Sequence, residues 1–384
     1  MLDFFEFTLP VHAVFGWGVL DKAGKYIRQH GRNVLLVTGG SSAKHGYLQR
    51  LTAQMDELKI AYVIFDKITP NPKATEIDEA AKIATEKKCD MVVALGGGSI
   101  MDAAKGIAAV AKNGGGIWDY VYKGPGKKAK RVQSALPIIV IPTMAATGSE
   151  MNSVAVISNP EAKEKAPFFS EAVFPKVALI DPQLTVSLPY ANTVDGGVDV
   201  ICHVLEMYLS TDADDYLQDR LALAITQTVI RSLDILKNDP ANREARTQLS
   251  WAASLALSGM VNKGRSGGFP MHAIEHVLSA RNDQLAHGRG LAAILPQKIK
   301  IVKNLLPAKY SELAKLFGGT DAYAEWRKWL DSHQTGGRLE EYLRGLDTET
   351  LAAQILDFSG TPDFLPDIKP LYKSDLTEFI DNLK

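Results

Sequence analysis

The stretch DMVVALGGGSIMDAAKG, residues 90–106, runs from a β-branched apolar segment through Gly96-Gly97-Gly98-Ser99 into a helical pattern whose apolar residues begin at Ile100. Strand, glycine turn and helix form the unit from which parallel α/β sheets are built. Glycines let backbone N–H groups approach a ligand closely, and a helix N-terminus adds positive potential, so the loop suits a pyrophosphate. The plainer reading is a tight turn, because the stretch is not a GxGxxG fingerprint. Counted from residue 33 it also follows the third strand of its domain, whereas the usual dinucleotide argument concerns the first strand–helix turn.

Working outward, the segments NVLLV, AYVIF, LPIIVI, SVAVI and KVALID between residues 33 and 181 are further short β-branched runs separated by helix-compatible stretches. That alternation predicts a mostly parallel, Rossmann-like sheet. After LIDP the period changes, and segments such as YLQDRLALAITQTVIRSLDIL show helical spacing with hardly any strand-like run. The expected organisation is α/β plus all-α, with residues 1–184 as a dinucleotide-binding domain and 185–384 as a helical metal-binding domain. KGPGKKAKR, residues 123–131, reads as a solvated basic loop.

The 384 residues carry 43 Lys and Arg against 44 Asp and Glu, a net charge of -1. No broad basic surface for nucleic acid or anionic membrane is available, and small-molecule partners are expected. Two cysteines, Cys89 and Cys202, are too few for a disulfide framework or a thiolate cluster and suit a reducing compartment. The acidic start MLDFFEFTLP lacks the basic region of a secretory signal, and no apolar run approaches the ~18–20 residues of a membrane span, so a soluble cytoplasmic protein is expected.

The segment after NVLLV offers Thr38, Gly39, Gly40, Ser41 and Ser42, with no carboxylate. An acid there commonly binds the ribose 2′-hydroxyl of NAD and repels the 2′-phosphate of NADP. Small hydroxyl-bearing residues with Lys44 nearby tolerate a phosphate, which favours NADP and leaves NAD open.

In DGGVDVICHVLE, residues 195–206, Asp199 and His203 stand four apart. On a helix they share one face with Cβ atoms about 5–6 Å apart, close enough to hold one ion. MHAIEHVLSARNDQLAHGRG adds His272, His276 and His287, three of the eight histidines of the chain. An Asp-plus-His set without cysteine suits Fe²⁺ or Zn²⁺. Asp199 and His203 are thus expected to share a site completed from residues 272–287. For Glu206, at i+7 from Asp199, a hydrogen bond to a ligand imidazole or a surface position is favoured over direct ligation.

Taken in order, FEFTLPVHAVFGWG near the start, PNP at 70–72, GGGSIMDAAK at 96–105, PTMAATGSEMNSVAVIS at 142–158, LIDP at 179–182, DVICHVLE at 199–206 and the histidine cluster span nearly the whole chain. Together they resemble the iron-containing (group III) alcohol dehydrogenase family, most closely its NADP-dependent aldehyde reductase and butanol dehydrogenase branch. The resemblance implies a dehydroquinate synthase-like fold, with metal and nicotinamide meeting in the cleft between the domains. It places the metal on Asp199, His203, His272 and His287, and sets His276 against the site without ligating. It puts the pyrophosphate on Gly97, Gly98 and Ser99, with Asp102 and Lys105 in the helix behind. Thr143, Thr147 and Ser149 match the segment passing the diphosphate and nicotinamide, and Asn71 of PNP is a further expected contact. Gly39, followed by Gly40 and Ser41, stands where NAD-preferring relatives carry an aspartate, and Lys165 matches a lysine reaching toward the cofactor in the NADP-using branch. One departure is that the first and third histidines of the family pattern sit one residue closer than His272 and His287; the extra residue falls within SARNDQLA, where Arg281 and Asp283 are expected to reshape the pocket.

The expected reaction is reversible hydride transfer between NAD(P)H and a small aldehyde or ketone, with His276 relaying a proton or only supporting the site. Asn152, Lys263, Arg265 and Phe269 flank the site segments, and the basic pair would favour an anionic aldehyde, although such residues are more often surface charges. A polyol dehydrogenase, a dehydroquinate synthase-like lyase and a non-catalytic nucleotide or metal sensor are the rival readings. An exposed edge at the N-terminal strand makes a homodimer the expected assembly.

Overall fold

The computed structural model describes residues 4–124, 128–212, 216–265, 268–361 and 363–384. Six strands form one parallel sheet: β1 (His12–Phe15), β2 (Asn33–Thr38), β3 (Ala61–Phe65), β4 (Met91–Gly96), β5 (Ile138–Pro142) and, after an intervening hairpin of β6 (Val154–Asn159) and β7 (Glu164–Phe169), β8 (Val177–Ile180). The order across the sheet is β1-β8-β5-β4-β2-β3. Successive side chains of a strand face opposite sides. Val34 and Leu36 of β2 pack with Ile27 of α1 (Ala23–His30) and Leu51 and Met55 of the later helix Tyr47–Glu57, beyond the short α2 (Gly40–Lys44). Leu35 and Val37 face Ile77 and Ala80 of the helix Ala74–Glu86 and Ile107 of the helix Gly98–Asn113. Taken in chain order, these three helices are α3, α4 and α5. Helices cover both faces, which is why the central strands read as unbroken apolar runs rather than alternating ones.

Two expectations need correction. The run SVAVI lies in β6, which pairs antiparallel with β7 and forms a hairpin outside the main sheet. Its side chains pack onto α5 and α4 through Ala155 and Ile157, and apolar content alone does not distinguish that from a central strand. The sheet also begins earlier, with β1 paired to β8, so NVLLV is its second strand and the glycine loop follows the fourth in chain order. The segment after β2 turns helical at Gly40. Pro125, Gly126 and Lys127 of the KGPGKKAKR patch lie outside the described residues, while its Lys130 pairs with Asp119 at 2.8 Å.

Beyond β8 the chain becomes helical. Asp181 closes the first unit by accepting backbone hydrogen bonds from Gly18 and Leu20 at 3.1 Å each, tying LIDP back to the turn after β1. α6 (Tyr190–Leu209) is buried all round from Thr193 onward. A helix without a solvated face must be central, and α6 packs against α7 (Tyr216–Asn238), α8 (Arg243–Ala256) and, past α9 (Pro270–Arg281), α10 (His287–Val302). Helices continue to Asp381, interrupted by a small antiparallel pair, Phe364–Leu365 with Leu371–Tyr372, that the helical spacing did not announce. Among the described residues no helix is long and apolar enough to cross a membrane.

A buried polar network fixes the wall between the halves. Lys105 of α5, fully buried, donates to Ser149 Oγ at 2.7 Å, Asn152 Oδ1 at 3.0 Å and the Val154 carbonyl at 2.6 Å. Burial pushes its ammonium down to about 8, against the pull of Asp102 and Glu150, so it stays protonated at neutral pH. Asp102 accepts from Ser149 Oγ at 2.6 Å and the Val156 amide at 2.9 Å. Glu150 crosses to the helical half, accepting from Ser254 Oγ at 2.6 Å. Each donor meets an acceptor, as buried polar groups must.

Candidate metal centre and nucleotide cleft

On the otherwise apolar α6, Asp195, Asp199, His203 and Glu206 are all buried at spacings that share one face. Asp199 Oδ1 lies 3.6 Å from His203 Nε2, 3.5 Å from His272 Nε2 and 3.4 Å from His287 Nε2. His272 comes from α9 and His287 from the first position of α10, so three helices meet at one carboxylate. Gly288 permits this approach: a Cβ there would stand 1.9 Å from the backbone oxygen of Asp195.

The far nitrogens of the rings are also occupied. Glu206, fully buried, bonds His272 Nδ1 and the backbone amides of Met271 and His272. Glu275, equally buried, bonds His287 Nδ1. Carboxylates holding Nδ1–H fix the tautomer that offers Nε2 to an ion. Asp199 Oδ1 and His272 Nε2 remain buried without a hydrogen-bond partner among the described residues. Buried polar atoms left so are costly, and here they point at one another's centre. The electrostatics favour a cation as well. Burial would raise the Asp199 carboxyl, but His203 and His287 hold it well below the usual range. Burial would lower His272, but Glu206 and Asp199 outweigh it and push the imidazole up to about 10. One carboxylate and three imidazoles, with two further acids behind, fit a divalent ion of the Fe²⁺ or Zn²⁺ kind.

The ring cluster opens on a cleft of about 490 Å³ whose walls come from both halves of the chain. Gly98 and Ser99, at the start of α5 and past the carboxyl end of β4, form part of its floor. Glycine is required here on two counts. A Cβ at residue 96 would meet Ile100 Cγ1 at 2.4 Å, and one at residue 98 would meet Thr147 Cγ2 at 2.6 Å. Ligands of parallel α/β sheets bind at this carboxyl edge. Leu257, Phe269, Ala273 and Phe358 make the opposite wall largely apolar.

The description Iron-containing alcohol dehydrogenase matches residues 10–182, and Fe-containing alcohol dehydrogenase family, C-terminal, matches residues 193–352. The chain belongs to the iron-containing alcohol dehydrogenase family. It is 37% identical to NADH-dependent butanol dehydrogenase B of Clostridium acetobutylicum over 79% of this chain and 76% of the relative. It is 32% identical to the NADPH-dependent aldehyde reductase YqhD of Escherichia coli over 91% of both chains. Among solved structures, NADH-dependent butanol dehydrogenase A of Thermotoga maritima superposes with a TM-score of 0.91 at 32% identity, covering 99% of this chain and 98% of that one.

As a member of this iron-containing family the protein is an NAD(P)-dependent oxidoreductase acting between alcohols and aldehydes, and the lyase and sensor readings are not favoured. Asp199, His203, His272 and His287 converge as described, and the residues between the end of α9 at Arg281 and the start of α10 at His287 form the connection between the two helices. Asp102, Thr147, Ser149, Lys165 and Asn71 line the cleft with Gly98 and Ser99. Asn71 does so from a left-handed backbone, φ 54°. Gly97 caps α5 just behind, and Thr143 sits where β5 ends, its amide bonded to the Gly96 carbonyl. Gly39, Gly40 and Ser41 lie beyond the cleft lining at the end of β2, with Gly39 beside Ile100. Arg265 departs from its expected place: its side chain is buried against Asp219, away from the cleft, which leaves Lys263 and Lys165 as lining cations among the described residues. Asp283 reaches the other half, pairing with Lys73 at 3.0 Å, and Arg281 Nε donates to Gln354 at 3.0 Å. Glu275 went unnoticed in the sequence, although an acid three residues after His272 in an apolar helix is the signal that could have found it.

Proposed function

We propose that this protein reduces small aldehydes with NADPH at a single divalent metal centre held by Asp199, His203, His272 and His287, and that the reverse alcohol oxidation uses the same site. The observation that carries the reading is the meeting of one carboxylate and three imidazole nitrogens within 3.6 Å at the wall of a cleft that also contains the start of α5. When bound, the ion supplies Lewis acidity to the carbonyl oxygen and the reduced nicotinamide supplies hydride to the carbonyl carbon. Glu206 and Glu275 keep two ligand imidazoles in the ligating tautomer. Gly98 and Ser99 present backbone N–H groups to the pyrophosphate. Lys165 supplies a buried cation on the same wall. The apolar wall of Leu257, Phe269 and Phe358 favours short unbranched substrates and excludes water.

His276 is assigned the proton. Burial, with Lys165 adding to it, pushes its imidazole well below the ordinary range, so the ring is neutral with one N–H to give and one nitrogen to refill. It stands between the main cleft and a second cavity of about 180 Å³ that also borders Lys123 and Glu164. That position supports a relay in which the ring gives its proton on the substrate side and takes another from the cavity side. His276→Ala is expected to lower kcat about a hundredfold while metal content stays that of the parent. An unchanged rate and pH profile would leave His276 a packing residue.

NADP is preferred over NAD in this reading because Gly39 and the start of α2, Gly40 and Ser41, carry no acid and Lys44 is exposed on the same short helix. The chain is proposed to divide at residues 184/185. A reducing, cytoplasmic setting is supported by two buried unpaired cysteines, and a homodimer by the edge position of β1 and the exposure of Phe4, Phe5 and Phe7 in the segment that precedes it. The test is oxidation of NADPH and of NADH with a panel of short aldehydes, on protein stripped of metal and reconstituted anaerobically with Fe²⁺ or Zn²⁺. Metal-dependent turnover with NADPH preferred is expected, together with a shift toward NADH in Gly39→Asp, whose Cβ would touch only Ile100 at an ordinary 3.6 Å. Tight metal binding without oxidation of either nucleotide would end the reading.

A further inference from the structure

The two halves of the protein are joined at the site by a buried chain of charge that the reaction scheme does not itself require. Lys165, on β7 of the sheet half, places Nζ 3.7 Å from Glu275 Oε2 and donates to Ser279 Oγ at 3.0 Å, both on α9 of the helical half. Lys165 and Glu275 side chains are 5% and 0% exposed. The same Oε2 bonds His287 Nδ1, whose opposite nitrogen faces Asp199. The other carboxylate oxygen, Glu275 Oε1, is buried without a hydrogen bond among the described residues. Glu275 therefore divides one carboxylate between a cation that lines the cleft and an imidazole that lines the metal centre.

We infer that Glu275 and Lys165 link the nucleotide cleft to the metal centre, so that a dinucleotide phosphate in the cleft and a metal ion at Asp199 each tighten the binding of the other. The inference rests on the cofactor reading above. A buried cation at this distance from Glu275 offsets part of the carboxylate charge that His287 feels, because charges inside a protein are weakly screened. An anionic group in the cleft attracts Lys165 and returns that charge to the Glu275–His287 pair. An imidazole whose Nδ1–H is held by a stronger acceptor is a more basic ligand at Nε2. Linkage then obliges the metal to tighten the nucleotide by the same factor. Glu275 acts through His287 and is a positioning residue.

The test uses the full chain with Zn²⁺ as the metal probe, its affinity measured by competition with a chromophoric chelator with and without saturating NADPH, and NADPH binding followed separately by its fluorescence. In the parent protein NADPH is expected to lower the Zn²⁺ dissociation constant about 5- to 20-fold, the lower part of the ordinary range of a coupling between sites. In Glu275→Gln, and independently in Lys165→Met, NADPH still binds but the shift falls to less than about twofold; a side chain that merely supported the fold would lower both affinities without removing their dependence on each other. If Glu275→Gln fails to fold, Lys165→Met alone reads the linkage, since it leaves Glu275 in place. NADPH binding with no change in Zn²⁺ affinity in the parent, or a full shift persisting in the variants, overturns the linkage and leaves the cofactor reading standing. Failure of NADPH to bind the parent overturns both.

Discussion

Asparagine at Asp199 is expected to abolish metal-dependent turnover almost completely. The substitution keeps the size of the side chain but removes the one charge on which the nitrogens of His203, His272 and His287 converge. An ion in that position supplies several kcal/mol of stabilisation to the charge developing on a carbonyl oxygen, and losing about 4 kcal/mol of it corresponds to roughly a thousandfold in kcat/KM. Metal content after dialysis is expected to fall in parallel. NADPH binding should persist, because the glycine loop at Gly98 and Ser99 belongs to α5 in the other half. A variant that retained stoichiometric metal and most of its activity would contradict the ligand set.

Alanine at Gly288 is expected to be the most damaging small substitution to the fold around the site. Its Cβ would fall 1.9 Å from the oxygen, 2.5 Å from the carbonyl carbon and 2.8 Å from the Cα of Asp195. These are backbone atoms of α6, which cannot swing aside as a side chain can. α6 and α10 would have to separate, and with them Asp199, one turn beyond Asp195, and His287, next to the new methyl. Overpacking of this kind costs about 3 kcal/mol, which for a unit of this size lowers Tm by about 6–12 °C. Metal affinity should fall in the same variant. Gly40→Ala provides the contrast, since nothing lies within 4 Å of a Cβ there and no loss of Tm is expected. Equal melting of the two variants would contradict the close approach of α6 and α10.

Much of this arrangement can be read from residue order. β2, β4 and β5 are runs buried on both faces, and each follows or precedes a turn rich in glycine or proline. The candidate ligand side chains were legible because helical geometry guarantees that Asp199 and His203 share a face, and because three histidines within α9 and the start of α10 are unusual in a chain with eight. SVAVI shows where such reasoning stops: a β-branched run announces a strand and says nothing about which strand it pairs with. Arg265 marks a similar limit, since proximity in sequence to Phe269 and Lys263 does not reveal that its side chain turns toward Asp219 of α7.

By itself, then, the sequence determined most strands of the main sheet, the split into a parallel α/β half and a helical half, the family, and the four side chains that converge as candidate ligands. These follow from periodicities of 2 and 3.6 residues and from chemistry concentrated within single segments, both of which are local along the chain. Only the tertiary structure decided that Glu206 and Glu275 hold the ligand imidazoles, that Lys165 reaches Glu275 from across the cleft, and that Gly288 must lack a side chain. Each of these depends on the register in which two elements pack, to within a few ångströms. That register is set by the close packing of the whole core, which no one stretch of sequence contains.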